Sequence, residues 1–369
     1  MEHALRRVLP DTASVDGRGH LHVGGCDTTE LAREFGTPLF VFCEETFRER
    51  ARAFTAAFPG ATVYYAAKAF QCLAMCRLVD EEGLGIDVAS GGELHTALAA
   101  GFPPGRMVMH GNNKDGADLA RAVDEGVGTI AIDNVEEIDR VAKLAAAAGR
   151  RQRVVVRVTP GVEAHTHEYI RTGHEDTKFG LSVEGGAARE ALARAVARDS
   201  LHLAGMHAHI GSNIFSQEPF VRTIEILFEL LADIRTDLGI ELTELNLGGG
   251  IGIPYLPEDE PVRLDAFAGL VHASVKEQAA RHGVPVPSLA FEPGRFLVGN
   301  AMVTLYSVGV IKELPGIRTY VSVDGGMSDN IRPALYQARY AALLANKAAE
   351  PSARTVTVAG MHCESGDVL

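Results

Sequence analysis

The sequence predicts an α/β chain: a (β/α)8 barrel of the TIM type plus a second, β-rich domain built from both chain ends. Three observations predict it. Short β-branched or aromatic runs alternate with helical stretches over most of the chain. Polar residues gather at the C-terminal ends of those runs. Both ends of the chain break the rhythm and carry strand-like segments of their own.

The first element is a strand at 38–42, ahead of the barrel. Eight runs follow, at 63–67, 85–89, 107–110, 129–132, 154–158, 204–210, 242–247 and 289–292. Between most of them lie Ala-, Arg- and Glu-rich segments with helical spacing, such as 135–148. Eight such units over roughly 250 residues match a closed barrel. An open doubly wound sheet is the alternative, weakened because no GxGxxG opens a helix at the first strand. The apolar stretch 224–234 contains Glu225, Glu229 and Asp233. It reads as an amphipathic helix, too short and too charged to span a bilayer. Residues 13–25 and 302–361 fall outside the rhythm, and 302–311, 319–323 and 355–358 read as strands. The barrel is therefore assigned to 37–292, and the β-rich domain to 1–36 with 293–369.

Composition narrows the function. The chain has 369 residues, with 35 Lys and Arg against 48 Asp and Glu, for a net charge of −13. Binding along a phosphate backbone needs a basic footprint, so nucleic acid is not an expected partner. The five cysteines form no framework spacing, which suits a reducing, cytoplasmic setting. The N-terminus MEHALRRVLP is charged and lacks an apolar core segment. No signal peptide and no membrane partner are expected.

The polar strand ends are Lys68, Asp87 with Ser90, Asn112 with Asn113, Asp133 with Asn134, His209, Gly248 to Gly250, and Glu292 with Arg295. In a barrel these ends converge on one face, where catalysis sits. Lys68 in VYYAAKAF can form a Schiff base if partly desolvated, or a surface ion pair. Three glycines in NLGGG can cradle a phosphate with bare N–H groups, or simply turn the chain. Glu292 in FEPGR can keep a pyridine nitrogen protonated, or pair structurally with Arg295. His207 and His209 lie two apart on one strand face. They read as a ring stacked on a planar cofactor, as two zinc ligands, or as hydrogen-bonded core residues. His165 and His167 fall in a loop, and Cys72 and Cys76 are expected to share a buried helix face. Cys363 lies beside Glu364 and Asp367 in CESGD. Its thiol can donate a proton if its pKa is tuned, or it is a small residue beside a turn. No convincing set of metal ligands stands out.

The segments YYAAKAF, DVASGGEL, HGNNK, RVTPGVEAHTHEYIRTGHEDTKFG, HAHIGS, NLGGG, FEPGR, VDGGMSDNIRPALY and CESGD occur in this order. Together they resemble the diaminopimelate decarboxylases, within the ornithine/arginine/diaminopimelate decarboxylase family of alanine-racemase-like fold. The resemblance runs from about residue 12 to the last residue and implies a pyridoxal 5'-phosphate enzyme. It implies that Lys68 bonds the cofactor, His209 stacks on its ring and Glu292 pairs with the ring nitrogen. Ser212, Gly248, Gly249, Gly250 and the backbone after Glu292, at Gly294 and Arg295, hold the phosphate. Arg295, Arg332 and Tyr336 bind the substrate's distal carboxylate, and Glu364 binds its distal amine. Cys363 reaches in from a partner subunit as proton donor, so a homodimer with shared sites is implied. The reaction implied is conversion of meso-2,6-diaminopimelate to L-lysine and carbon dioxide, in lysine biosynthesis. A same-fold decarboxylase of another amino acid, such as ornithine or arginine, and a non-catalytic relative are the alternatives.

This sequence departs from the family in three places. Asn213 stands where glutamine is usual, and Phe296 is bulkier than the common residue after EPGR. Both are expected to reshape the pocket slightly. The family continues past CESGDVL through further strands, so the β-rich domain is expected to be C-terminally incomplete.

Overall fold

The computed structural model describes residues 5–162 and 177–369. His165 and His167 lie outside the described residues. The chain divides into two compact units. The second comprises Arg50–Gly252 and Val262–Leu297, and it contains the barrel.

Eight strands build the barrel: β1 (Thr62–Ala66), β2 (Gly85–Val88), β3 (Met107–Met109), β4 (Thr129–Ile132), β5 (Gln152–Thr159), β6 (Leu201–His207), β7 (Glu244–Asn246) and β8 (Ser288–Phe291). All pair in parallel, each with its sequence neighbour. The ring closes where Ala290 and Phe291 of β8 meet Thr62 and Val63 of β1. Every strand expected from the sequence is present, and the closed ring excludes the open doubly wound sheet. The strands are apolar because both faces are buried, one by the barrel interior and one by helices. Tyr64 from β1, Val108 from β3 and Ala290 from β8 form one buried cluster. Strands β1 and β3 have β2 between them, so this contact is made inside the barrel.

Among the described residues, seven helices return the chain between strands: α1 (Leu73–Glu81), α2 (Gly91–Ala99), α3 (Gly116–Glu125), α4 (Val135–Ala147), α5 (Ala187–Val196), α6 (Glu218–Leu238) and α7 (Leu264–His282). Helix α6 buries Phe220, Ile224, Leu227, Phe228, Leu231 and Ile234, the expected stripe at three- and four-residue steps. Several polar residues at the strand ends serve as helix caps. Ser90 accepts the Glu93 amide, Asp115 that of Asp118, and Asn134 that of Glu137. Ser90 and Asn134 are thus accounted for by helix initiation. Cys72 is also an N-cap, accepting the Met75 amide, so only Cys76 lies on the buried face of α1. No helix among the described residues is long and apolar enough to cross a membrane.

The other unit comprises Met1–Glu49, Ile253–Pro261 and Val298–Leu369. It holds a small antiparallel sheet of Ser14–Val15, Leu21–Val23 and Cys26–Asp27. Leu39–Phe42 pairs antiparallel with Met302–Leu305, so this strand belongs here and not at the start of the barrel. The run expected at 302–311 is two strands, because Val308–Leu314 turns away to pair with Arg318–Val323. Thr357–Ala359 adds in parallel to Arg318–Val323.

Candidate active site

The strand ends of the barrel unit gather most of the expected residues. Lys68 follows β1 in a short 3-10 turn, Ala67–Ala69, and its side chain is exposed. It is an open amine at the barrel mouth, and the partial desolvation on which the Schiff-base reading was conditioned is not seen. Asp87 of β2 sits beside Ala66 in register and is buried. Its Oδ1 has no partner, and burial chiefly pushes its pKa up to about 6.

Glu292, one residue past β8, is also buried, but its carboxylate is surrounded by donors. His110 Nε2 donates to Oε1 at 2.7 Å, Asn246 Nδ2 to Oε1 at 2.7 Å, and His207 Nε2 to Oε2 at 3.0 Å. Burial opposes ionisation, but the two imidazoles hydrogen-bonded to its oxygens hold Glu292 well below the usual carboxylate range. Arg295 does not pair with it. Its Nε and Nη2 donate to Ser212 Oγ at 3.2 and 3.0 Å.

His207 and His209 part company. His207 is the core histidine bound to Glu292. His209 is half-buried beyond the strand, and its Nδ1 accepts the Gly249 amide at 3.3 Å. Burial, then the charges of Lys68 and Arg157, hold the His209 ring well below its ordinary pKa. The glycine loop is more constrained than a bare cradle. Gly248 donates its amide to Asn246 Oδ1 at 2.9 Å, and Gly249 to His209. Polar side chains at neighbouring strand ends take these two amides. All three glycines are required by close approach. A Cβ on Gly249 would lie 2.3 Å from the Glu292 carbonyl oxygen, and one on Gly250 2.4 Å from that of Gly211.

His110, His207 and Glu292 also make a set of two histidines and a carboxylate. Their geometry is that of hydrogen bonds. Ligands 2.0–2.1 Å from a tetrahedral zinc must stand roughly 3.3 Å apart, farther than each histidine nitrogen stands from its carboxylate oxygen. His110 and Asn246 carried no assigned role in the sequence. The signal available was position, since each closes a barrel strand. Lys114 of HGNNK is buried with Nζ on the carbonyls of Gly111 and Ala131, at 2.6 and 2.8 Å, and 3.0 Å from Glu137.

The two pocket departures have local explanations. Asn213 has φ 62°, a left-handed conformation that Asn tolerates better than most side chains. Phe296 packs edge-on against Phe54, with ring centroids 5.8 Å apart.

Arg332, Tyr336, Cys363 and Glu364 belong to the other unit. Arg332 donates to Tyr340 Oη at 2.7 Å, and its guanidinium lies over the rings of Tyr255, Tyr336 and Tyr340. Cys363 and Glu364 are exposed. Asp367 is buried and shapes their turn, accepting the amides of Met327 and His362 at 2.6 and 2.8 Å.

Comparison with known proteins places this arrangement. The family described as "Pyridoxal-dependent decarboxylase, pyridoxal binding domain" matches residues 44–299. Diaminopimelate decarboxylase of Halalkalibacterium halodurans is 49% identical over 97% of this chain and 82% of the relative. The chain belongs to the diaminopimelate decarboxylase family. The family enzyme of Bacillus subtilis is 47% identical over 98% of this chain and 83% of its own. Among solved structures, diaminopimelate decarboxylase of M. jannaschii in complex with L-lysine superposes with a TM-score of 0.89. It is 33% identical over 97% of this chain and 83% of that one. Pyridoxal phosphate is the cofactor of this family.

Proposed function

We infer that this chain decarboxylates meso-2,6-diaminopimelate to L-lysine and carbon dioxide. The observation that carries the reading is an open amine, Lys68, at the same barrel mouth as an ionised buried carboxylate, Glu292, in a chain 49% identical to a diaminopimelate decarboxylase. The residues suit pyridoxal phosphate. Lys68 offers a nucleophile for its aldehyde. Glu292 is an anion fit to keep a ring nitrogen protonated. The unpartnered Asp87 Oδ1 leaves room for a further polar group at the same strand ends.

Bound there, pyridoxal phosphate supplies an electron sink for the pair of electrons left when carbon dioxide departs. The protein's own residues do the rest. His209 would stack on the cofactor ring. Ser212, Gly250, Gly294 and Arg295 would hold the phosphate, with Ser212 and Arg295 already joined by hydrogen bonds, and Gly248 and Gly249, whose amides Asn246 and His209 take, would shape the loop around it. Arg295, Arg332 and Tyr336 bind the distal carboxylate, and Glu364 the distal amine. Arg332 is braced by Tyr340, which supports a fixed guanidinium at that position. Cys363 of a partner subunit delivers the proton that replaces carbon dioxide, and its exposure in one chain supports that reading. The enzyme is then a homodimer, working in the cytoplasm, where five free thiols are at home.

The test is borohydride reduction of the cofactor-loaded protein, peptide mapping, and carbon dioxide release from diaminopimelate, lysine and ornithine. Lys68 should carry the label and diaminopimelate should be preferred. A label elsewhere, or preference for ornithine, overturns the reading.

A further inference from the structure

Both oxygens of Glu292 are occupied, and the donors come from the ends of three different strands. His110 follows β3, His207 ends β6 and Asn246 ends β7. A carboxylate receiving three hydrogen bonds is held ionised and fixed in orientation. Asn246 accepts the Gly248 amide with its other amide atom, so the orientation of Glu292 is also tied to the glycine loop.

His207 has a particular property as a donor. Its Nδ1 is buried and has no partner. A protonated ring would place an unsatisfied N–H there, which a dry interior penalises. The ring is therefore neutral, with its one proton on Nε2 and directed at Glu292. Burial accordingly lowers its pKa to about 4. His207 thus gives Glu292 a hydrogen bond without a counter-charge. A lysine or arginine at this place would cancel the negative charge.

We propose that His110 and His207 are positioning residues that hold Glu292 ionised and in a fixed orientation, keeping its charge for the cationic ring nitrogen of the cofactor. The proposal rests on the reading that Glu292 faces that nitrogen. Other ionisable groups around the site include Lys68 after β1, Tyr64 of β1, Asp87 of β2, Glu93 of α2, Arg157 of β5, His209 beyond β6 and Glu244 of β7. Burial, reinforced by the charge of Glu292, makes Asp87 the harder of the two carboxyls to ionise. The permanent charge of the pair sits on Glu292.

The experiment compares holoenzymes of the wild type, His110→Leu, His207→Leu, His110→Gln, His207→Gln and Glu292→Gln. It measures cofactor affinity, kcat, KM and the pH profile of kcat. Histidine-selective 15N spectra of the wild type report ring tautomers. Each leucine variant loses a hydrogen bond to a charged group, so affinity and kcat should fall roughly 10- to 150-fold, with KM little changed. The acid limb of kcat should move up by about one to two pH units, since Glu292 becomes easier to protonate. A glutamine amide can place a donor where Nε2 stood, so the glutamine variants should recover most of the loss. The spectra should show His207 neutral with its proton on Nε2 from pH 5.5 to 8. Three results overturn the proposal: leucine variants with wild-type affinity and acid limb, glutamine variants as impaired as leucine ones, or a His207 ring that titrates near neutrality. If a leucine variant does not fold, the glutamine pair and the spectra decide by the same criteria. If Glu292→Gln itself leaves affinity and kcat unchanged, the underlying assignment of Glu292 fails, and the proposal with it.

Discussion

Lys114→Met keeps the aliphatic stem of a buried side chain and removes its ammonium. Lys114 is 2% exposed, and its Nζ faces two carbonyls and the carboxylate of Glu137. The substitution strands all three acceptors. Breaking a buried pair from one side costs about 3–5 kcal/mol, against a total stability of about 5–15 kcal/mol. At about 2–4 °C per kcal/mol for a unit of this size, the melting temperature should fall by roughly 6–20 °C. The loss should depend on pH. Burial already raises the pKa of Glu137 above 4.5, with Lys114 the main opposing influence. Without Lys114 it rises further. A carboxyl whose folded pKa lies above its unfolded value contributes stability below the unfolded pKa, and that stability is lost as pH rises through the folded one. The deficit should therefore grow as pH rises. Adding Glu137→Gln removes the stranded charge and should restore most of the loss at pH 8. Circular dichroism melts of the four proteins between pH 5 and 8 test this. A single variant within about 2 °C of wild type at pH 8, a deficit indifferent to pH, or no rescue by the double substitution would refute the reasoning.

Three further outcomes are expected. Asp87 has a folded pKa near 6, above its ordinary 3.8, so its stabilising contribution is lost as pH rises through 6; Asp87→Asn should melt higher than wild type at pH 8, and the gap should close by about pH 4. Gly249→Ala puts a Cβ 2.3 Å from a backbone oxygen and should lower both melting temperature and cofactor affinity; a variant with wild-type affinity would show that the loop can yield. Mixing inactive Lys68→Ala and Cys363→Ala protomers should restore roughly 25% of wild-type activity through hybrid dimers, and no recovery with mixing confirmed would place Cys363 in the site of its own chain.

The barrel was legible because its strands are buried on both faces and therefore read as apolar runs between helical segments. What pairs with what was less legible. Leu39–Phe42 looks like any strand in sequence, and only its partner, some 260 residues away, shows which unit it belongs to. The same limit applies to the site. The sequence singled out Glu292 as a carboxylate with Arg295 as its candidate partner, because they are three residues apart. Its actual partners lie 182, 85 and 46 residues away, on strands that only barrel closure brings together. His207 and His209 alternate on one strand in sequence. The strand ends at His207, and the backbone beyond it gives His209 a different environment. Phe296 was expected to shape the pocket because of its size, yet its ring packs against Phe54.

The buried ammonium of Lys114 has a further consequence, for chemical selectivity. The barrel carries two lysines just past its strands, Lys68 after β1 and Lys114 after β3. An aldehyde does not distinguish one primary amine from another by its own chemistry. Lys114 is closed to solvent, and its nitrogen is engaged by two carbonyls and a carboxylate. It offers no path for attack. Lys68 is open. Of these two lysines, a carbonyl arriving at the mouth therefore meets one competent nucleophile, and the fold achieves this by sealing the competitor.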